Sequence, residues 1–251
     1  MAIISFEKKF IFLKTRKVAG TSVEAVLRNY VGDDDIVPAV TPRDELYSAA
    51  NGCYSKNYLL DRSKESVYTG LVLDGRFEDA TKFLSLEKKL ASSHMTYERI
   101  EKILSSRGLD IADFYTFTID RHPYSWVLSN CLYDNKKYNV HGEKLLEVDE
   151  GLVNEKARKF LSRSDVRSLI NWSMYTRDDV VMVDRVAKYE NINRDLAEIL
   201  SEVGLGGSKV ELPDMKNNAR HFNAFEILDD DVKDQVYDIF KGAFKTLGYE
   251  R

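Results

Sequence analysis

The chain has 251 residues, of which 43% are hydrophobic and 31% charged, with a formal net charge of −4. That is enough apolar material for a full core, and the acidic balance argues against general nucleic-acid or membrane-surface binding. Cys53 and Cys131 stand in no metal-ligand spacing and imply no disulfide framework. No apolar run is long enough for a membrane span, and Glu7-Lys8-Lys9 interrupts any leader-like stretch, so a cytoplasmic protein is expected.

Phe10 to Leu13 has the length and aromatic content of a buried strand. Val23, Val26 and Leu27 then recur at helical spacing. Between the two lie Lys17, Val18, the small pair Ala19-Gly20, and the hydroxyls of Thr21 and Ser22. A strand, a glycine turn and a helix N-terminus make an anion site, because free amides and the positive helix end point to one place. A Walker A loop places its lysine after the last glycine; here Lys17 precedes Gly20, and the chain has no Walker A match.

Gly32-Asp33-Asp34-Asp35 stops the first helix, and residues 36–80 read as an irregular insertion with short helices. Lys82 to Ser93 reads as a helical start followed by a strand end at Leu90 to Ser93, with His94 next and a helix over Thr96 to Leu104. Phe114 to Ile119 is a second strand, aromatic and β-branched. It leads through Asp120-Arg121-His122-Pro123 into a helix over Tyr124 to Leu132. Residues 133–153 read as a polar, mobile loop.

Helical patterns return at Asn154 to Leu161 and Asp165 to Met174, with strand candidates at Val180 to Val183 and Arg185 to Tyr189. Asn191 is expected to cap a helix from Ile192 to Val203, which Gly204 ends. A loop through Lys216 and Arg220 precedes one last amphipathic helix from Asp230 to Leu247. Strands alternating with helices predict an α/β fold in a single domain over residues 1–251, with a parallel sheet covered on both faces.

Lys17-Val18-Ala19-Gly20-Thr21-Ser22 resembles the 5′-phosphosulfate loop of sulfotransferases that use 3′-phosphoadenosine 5′-phosphosulfate (PAPS). Arg121-His122-Pro123, with Ser129 eight positions after the arginine, is similar to the 3′-phosphate motif of the same enzymes. Arginine suits that task because its planar fork meets phosphate bidentately. Val183 to Leu196, with Lys188-Tyr189-Glu190-Asn191 at its centre, resembles a further strand and helix of that family. The resemblance covers nearly the whole chain except residues 36–80 and 133–153, and is nearest to the carbohydrate type.

The resemblance implies a three-layer P-loop-like fold and transfer of a sulfuryl group from PAPS, the co-substrate, to an acceptor hydroxyl, expected to be on a saccharide. Tyr47, Tyr54, Tyr58 and Tyr68 of the 36–80 insertion are then candidates for stacking on sugar rings, against a role in simple packing. It implies no metal, because Lys17 supplies the charge at the bridging oxygen of the leaving phosphate. Gly20, Thr21 and Ser22 match the 5′-phosphate cradle, Arg121 and Ser129 the 3′-phosphate clamp, and Lys216 and Arg220 a segment that closes over the nucleotide. The family has proline where this chain has Arg16, which predicts a less rigid loop with an extra cation. His94 is the candidate general base, with an ordinary imidazole pKa expected. A helix-capping or half-buried structural role for His94 stays open, and Asp44, Glu45 and Asp74 are the next carboxylates to consider. Rival readings are a divergent P-loop nucleotide kinase and a non-catalytic nucleotide-binding protein on the same fold.

Overall fold

The structure is a computed structural model that describes residues 2–133, 148–206, 212–213 and 222–251. Its centre is a four-stranded sheet in the order β1 (Ile3–Ser5), β2 (Phe10–Leu13), β3 (Tyr115–Asp120), β6 (Arg185–Lys188). The β2–β3 and β3–β6 pairs are parallel, with Phe12 opposite Phe117 and Thr118 opposite Val186. β1 is the exception to the expected parallel sheet. Phe6 to Lys9 make a tight turn, with Lys9 at φ 54°, and this folds β1 back antiparallel onto β2.

Alternation along the strands sends side chains to opposite faces. Phe10 and Phe12 pack with Phe117 and Ile119 under α1 (Gly20–Leu27) and α10 (Ile192–Glu202). Ile11 and Leu13 face the other way, into a core built with α5 (Tyr97–Ser105), α6 (Pro123–Tyr133), α7 (Glu150–Leu161) and α12 (Asp230–Ile239). The chain is therefore a mixed α/β protein with a central, mostly parallel sheet flanked by helices. No described helix is long and apolar enough to cross a membrane.

The 36–80 insertion is more ordered than its composition suggests. It holds α2 (Pro42–Ala50), α3 (Glu65–Leu73) and the start of α4 (Phe77–Leu86), around a small core of Tyr58, Leu59, Tyr68, Val72 and Ala80. Tyr58 and Tyr68 are buried edge-to-face at 6.3 Å, and Tyr68 donates to the Val40 carbonyl at 2.7 Å, so neither can stack on a sugar. Tyr47 and Tyr54 stay exposed. Leu90 to Ser93 form no strand; the nearest ladder contact is an isolated bridge between Leu59 and Lys89.

Two expected helices are broken. Asp165 to Met174 divides into α8 (Val166–Leu169) and α9 (Trp172–Tyr175), because Ile170 leaves the helical region and Asn171 turns toward the β2–α1 loop. Asp230 to Leu247 divides at Phe240 into α12 and α13 (Lys241–Leu247). Gly242 lies against the Trp172 indole, where an added Cβ would come within 2.7 Å of the ring. β4 (Thr176–Arg177) and β5 (Val180–Val181) pair as a separate hairpin and do not extend the main sheet. Asn191 makes no side-chain cap; it ends a short 3₁₀ turn at Tyr189–Asn191.

Candidate functional site

The loop between β2 and α1 is fixed residue by residue. Thr15 Oγ1 donates to the Ile119 carbonyl of the neighbouring strand β3. Arg16 N donates to Asn171 Oδ1 at 2.8 Å, and the Arg16 carbonyl accepts from Asn171 Nδ2 and Trp126 Nε1, each at 2.9 Å. The Lys17 carbonyl accepts from Arg121 Nη1 at 3.4 Å. The Arg16 guanidinium, the extra cation of this loop, donates to the Leu169 carbonyl at 2.9 Å. The loop is thus held by contacts from β3, α6 and the α8–α9 break, without a proline.

The left-handed turning is not done by glycine. Lys17 has φ 63° and Ala19 φ 55°, a conformation that costs an L-residue roughly 1–2 kcal/mol. Gly20 is instead the first helical residue, and its missing side chain makes room for another. A Cβ there would meet Lys14 Cε at 2.7 Å and Cγ at 2.8 Å. The Ala19 carbonyl accepts from Ser22 N at 2.9 Å and Val23 N at 3.2 Å. Gly20 and Thr21 therefore stand at the N-terminal end of α1, where amides lack intrahelical acceptors and the helix dipole favours an anion. Val18 and Ser22 are buried in the turn, and Thr21 is partly open.

Sequence reasoning missed Lys14. It is buried beneath the turn, 3.1 Å from Glu24 Oε2, with its ammonium 3.4 Å from Thr21 Oγ1. Glu24 in turn accepts from Arg28, which reaches Glu45, Ser55 and the Cys53 carbonyl. Burial alone would raise the Glu24 pKa, but Lys14 and Arg28 outweigh it and hold the carboxyl down. Glu45 is wholly buried in this network, accepting from Ser55 Oγ at 2.6 Å and Ser55 N at 2.8 Å, so it is no free base. Asp44 accepts from Thr41 Oγ1 at 2.7 Å in the first turn of α2, and Asp74 is exposed at the end of α3. The only legible signal for Lys14 was a charge directly after an apolar strand.

The second motif follows β3. Arg121 leaves the strand end with its guanidinium 4.4 Å over the Tyr189 ring and its Nη1 on the Lys17 carbonyl. Ser129 is half-buried in α6. One turn further on, Tyr133 presents its ring to the Lys17 ammonium at 3.6 Å. The face of α6 that carries Ser129 thus adjoins the β2–α1 loop, since residues four apart share a helix face. His122 is packed among Tyr124, Phe225, Phe244 and Tyr249, and its Nε2 donates to the Glu250 carbonyl at 2.9 Å.

Beneath Arg121 lies Asp120, buried and bonded to Tyr175 OH, Asn171 Nδ2 and Arg121 N. Desolvation pushes its carboxyl up to about 6 despite those donors. His94 sits at the end of β2, its Nδ1 3.1 Å from the Lys14 carbonyl. A carbonyl only accepts, so Nδ1 carries the proton and Nε2 keeps its lone pair. The residue is exposed overall, while its Nδ1 edge packs on the strand end. This partial desolvation, with Lys14 and Arg16 nearby, holds the imidazole pKa below the ordinary value that the sequence suggested.

Lys17, Arg121 and His94 are thus drawn to the C-terminal ends of β2 and β3. Lys216 and Arg220, and most of the expected mobile loop over 133–153, lie outside the described residues; within that loop's span, α7 already begins at Glu150. Among the described residues no cluster of His, Cys, Asp and Glu could hold a metal ion.

No protein-family model matches the chain, and no solved structure matches it. Over 102 residues it is 28% identical to a protein of Archaeoglobus fulgidus described as uncharacterized, a stretch covering 39% of this chain and 75% of that one.

Proposed function

We propose that the protein is a PAPS-dependent sulfotransferase of the carbohydrate type, built on a three-layer P-loop-like fold. The observation that carries this reading is the contact of Arg121 with the Lys17 carbonyl, because it joins the two sequence motifs that resemble the 3′-phosphate clamp and the 5′-phosphosulfate loop. In the proposed reaction an acceptor hydroxyl oxygen attacks sulfur as the bond from sulfur to the 5′-phosphate oxygen breaks. The electron pair goes to that phosphate oxygen, where Lys17 neutralises the new charge. The acceptor proton passes to Nε2 of His94, the lone pair left open by the Nδ1 contact.

Transfer of this kind proceeds through a loose, in-line displacement, so positioning and charge stabilisation carry most of the catalysis. The pinned main chain of Arg16 and Lys17, with the Thr15 hydroxyl bonded to β3, supports such a role, since it holds the loop before any ligand arrives. A saccharide acceptor rests on the sequence resemblance. The test is calorimetric binding of 3′-phosphoadenosine 5′-phosphate, adenosine 5′-phosphate and ATP, followed by transfer from labelled PAPS to a panel of saccharides. Tightest binding of the 3′-phosphorylated nucleotide, with label on an acceptor, supports the reading. A preference for ATP points to the kinase instead, and nucleotide binding without transfer points to a binding protein.

A further inference from the structure

We propose that Tyr133 is a positioning residue that holds the Lys17 ammonium in place for sulfuryl transfer; this rests on the sulfotransferase reading above. The ammonium lies 3.6 Å from the centre of the Tyr133 ring, a cation–π contact. Lys17 is held at its other end as well, because its carbonyl accepts from Arg121 and its backbone is locked in the left-handed region. A lysine side chain otherwise spreads over many rotamers, and that freedom must be lost when the ammonium meets the charge forming on the leaving oxygen. The ring removes part of that freedom in advance.

Tyr133 belongs to the last turn of α6, four residues after Ser129, and its side chain is more than half exposed. Its packing contribution to the core is therefore small, while its one aromatic face is occupied by a cation. When the bond from sulfur to the 5′-phosphate oxygen breaks, the negative charge appears on that oxygen. An ammonium already fixed beside it requires no reorganisation at that moment. The contact thus acts on the chemical step and leaves ground-state nucleotide binding to the turn and to Arg121.

The test compares Tyr133→Phe, which keeps the aromatic face, with Tyr133→Leu, which keeps bulk without it. Tyr133→Leu is expected to lower kcat about tenfold with the KM for PAPS changed less than about twofold, and Tyr133→Phe to restore wild-type kcat. An unchanged or raised kcat in Tyr133→Leu overturns the proposal, the second outcome marking Tyr133 as a resting dock that competes with the reaction. Equal loss in both variants also overturns it, because the hydroxyl and not the ring face would then matter. A second readout does not need turnover: the Lys17 ε-methylene protons should show an upfield ring-current shift that persists with 3′-phosphoadenosine 5′-phosphate and is lost in Tyr133→Leu. Loss of the shift on adding the nucleotide overturns the proposal. Absent sulfuryl transfer with an intact shift in the free protein strikes the sulfotransferase reading, and positioning for transfer falls with it while the contact stands.

Discussion

Arg121 Nη1 donates to the main-chain carbonyl of Lys17 at 3.4 Å, joining positions 104 residues apart in the chain. An arginine read from sequence as a phosphate ligand therefore also braces the loop that carries the other phosphate motif. Arg121→Ala should erase most of a preference for 3′-phosphoadenosine 5′-phosphate over adenosine 5′-phosphate, a preference expected at about 2–4 kcal/mol for a charge-assisted bidentate contact. Because the brace is lost too, affinity for adenosine 5′-phosphate itself should fall by severalfold. Calorimetric titration of both nucleotides checks this; an intact 3′-phosphate preference in the variant removes Arg121 from recognition.

Lys17 is expected to act on charge that develops in the transition state. Lys17→Ala should lower kcat about a hundredfold or more and leave nucleotide affinity within roughly tenfold. Steady-state kinetics with binding measured separately resolve the two. Turnover equal to the wild type would take Lys17 out of the mechanism.

The position of His94 changes what its pH profile should look like. With its pKa held below the ordinary histidine value, the imidazole stays neutral at pH values where a free one is protonated. The acid limb of kcat/KM should then lie clearly below about 6.5, the unperturbed value. His94→Gln keeps a group able to bond the Lys14 carbonyl but has no basicity, so it should be nearly as inactive as His94→Ala while binding nucleotide normally. An active glutamine variant assigns His94 an orienting role.

Asp120 makes a prediction about stability with a definite sign. Its folded pKa of about 6 exceeds the unfolded value, so the folded state binds the proton more tightly. Its contribution is therefore most favourable below about pH 4 and is lost as pH rises through about 6, at up to about 1.4 kcal/mol per pH unit. Asp120→Asn removes the titration but keeps a carbonyl for Tyr175 or the Arg121 amide. Urea unfolding of both proteins should show the wild type losing about 2–3 kcal/mol relative to the variant between about pH 4 and pH 7. A pH-independent difference would show that Asp120 does not titrate in this window.

Strands and the ends of helices near the site were legible because their signals are local. Phe10 to Leu13 and Tyr115 to Ile119 carry continuous aromatic, aliphatic or β-branched runs, and the strand at Arg185–Lys188 sits within one residue of its expected span. β1 was not legible, since three residues before a charged turn carry little periodicity. The breaks at Asn171 and Phe240 were hidden for another reason. Each lies beside a partner distant in sequence, Arg16 at the first and, at Gly242, Trp172 near the second. The same holds at the site. Lys17 and Arg121 stand out as residue types after strands, whereas Lys14, His94, Asn171 and Tyr133 gain their places only from contacts that the local sequence does not show.

The bonds that shape the β2–α1 loop also fix when it can form. The loop precedes all of these partners in the chain: the Thr15 hydroxyl waits for Ile119, the Lys17 carbonyl for Arg121, the Arg16 carbonyl for Trp126 and the Arg16 amide for Asn171. Contacts this distant carry a high loop-closure cost and form late. A nascent chain that stops short of Asn171 thus has every residue of the loop but lacks the two bonds that Asn171 makes to the Arg16 main chain. The completed geometry of the loop is therefore a report on folding of the chain through Asn171.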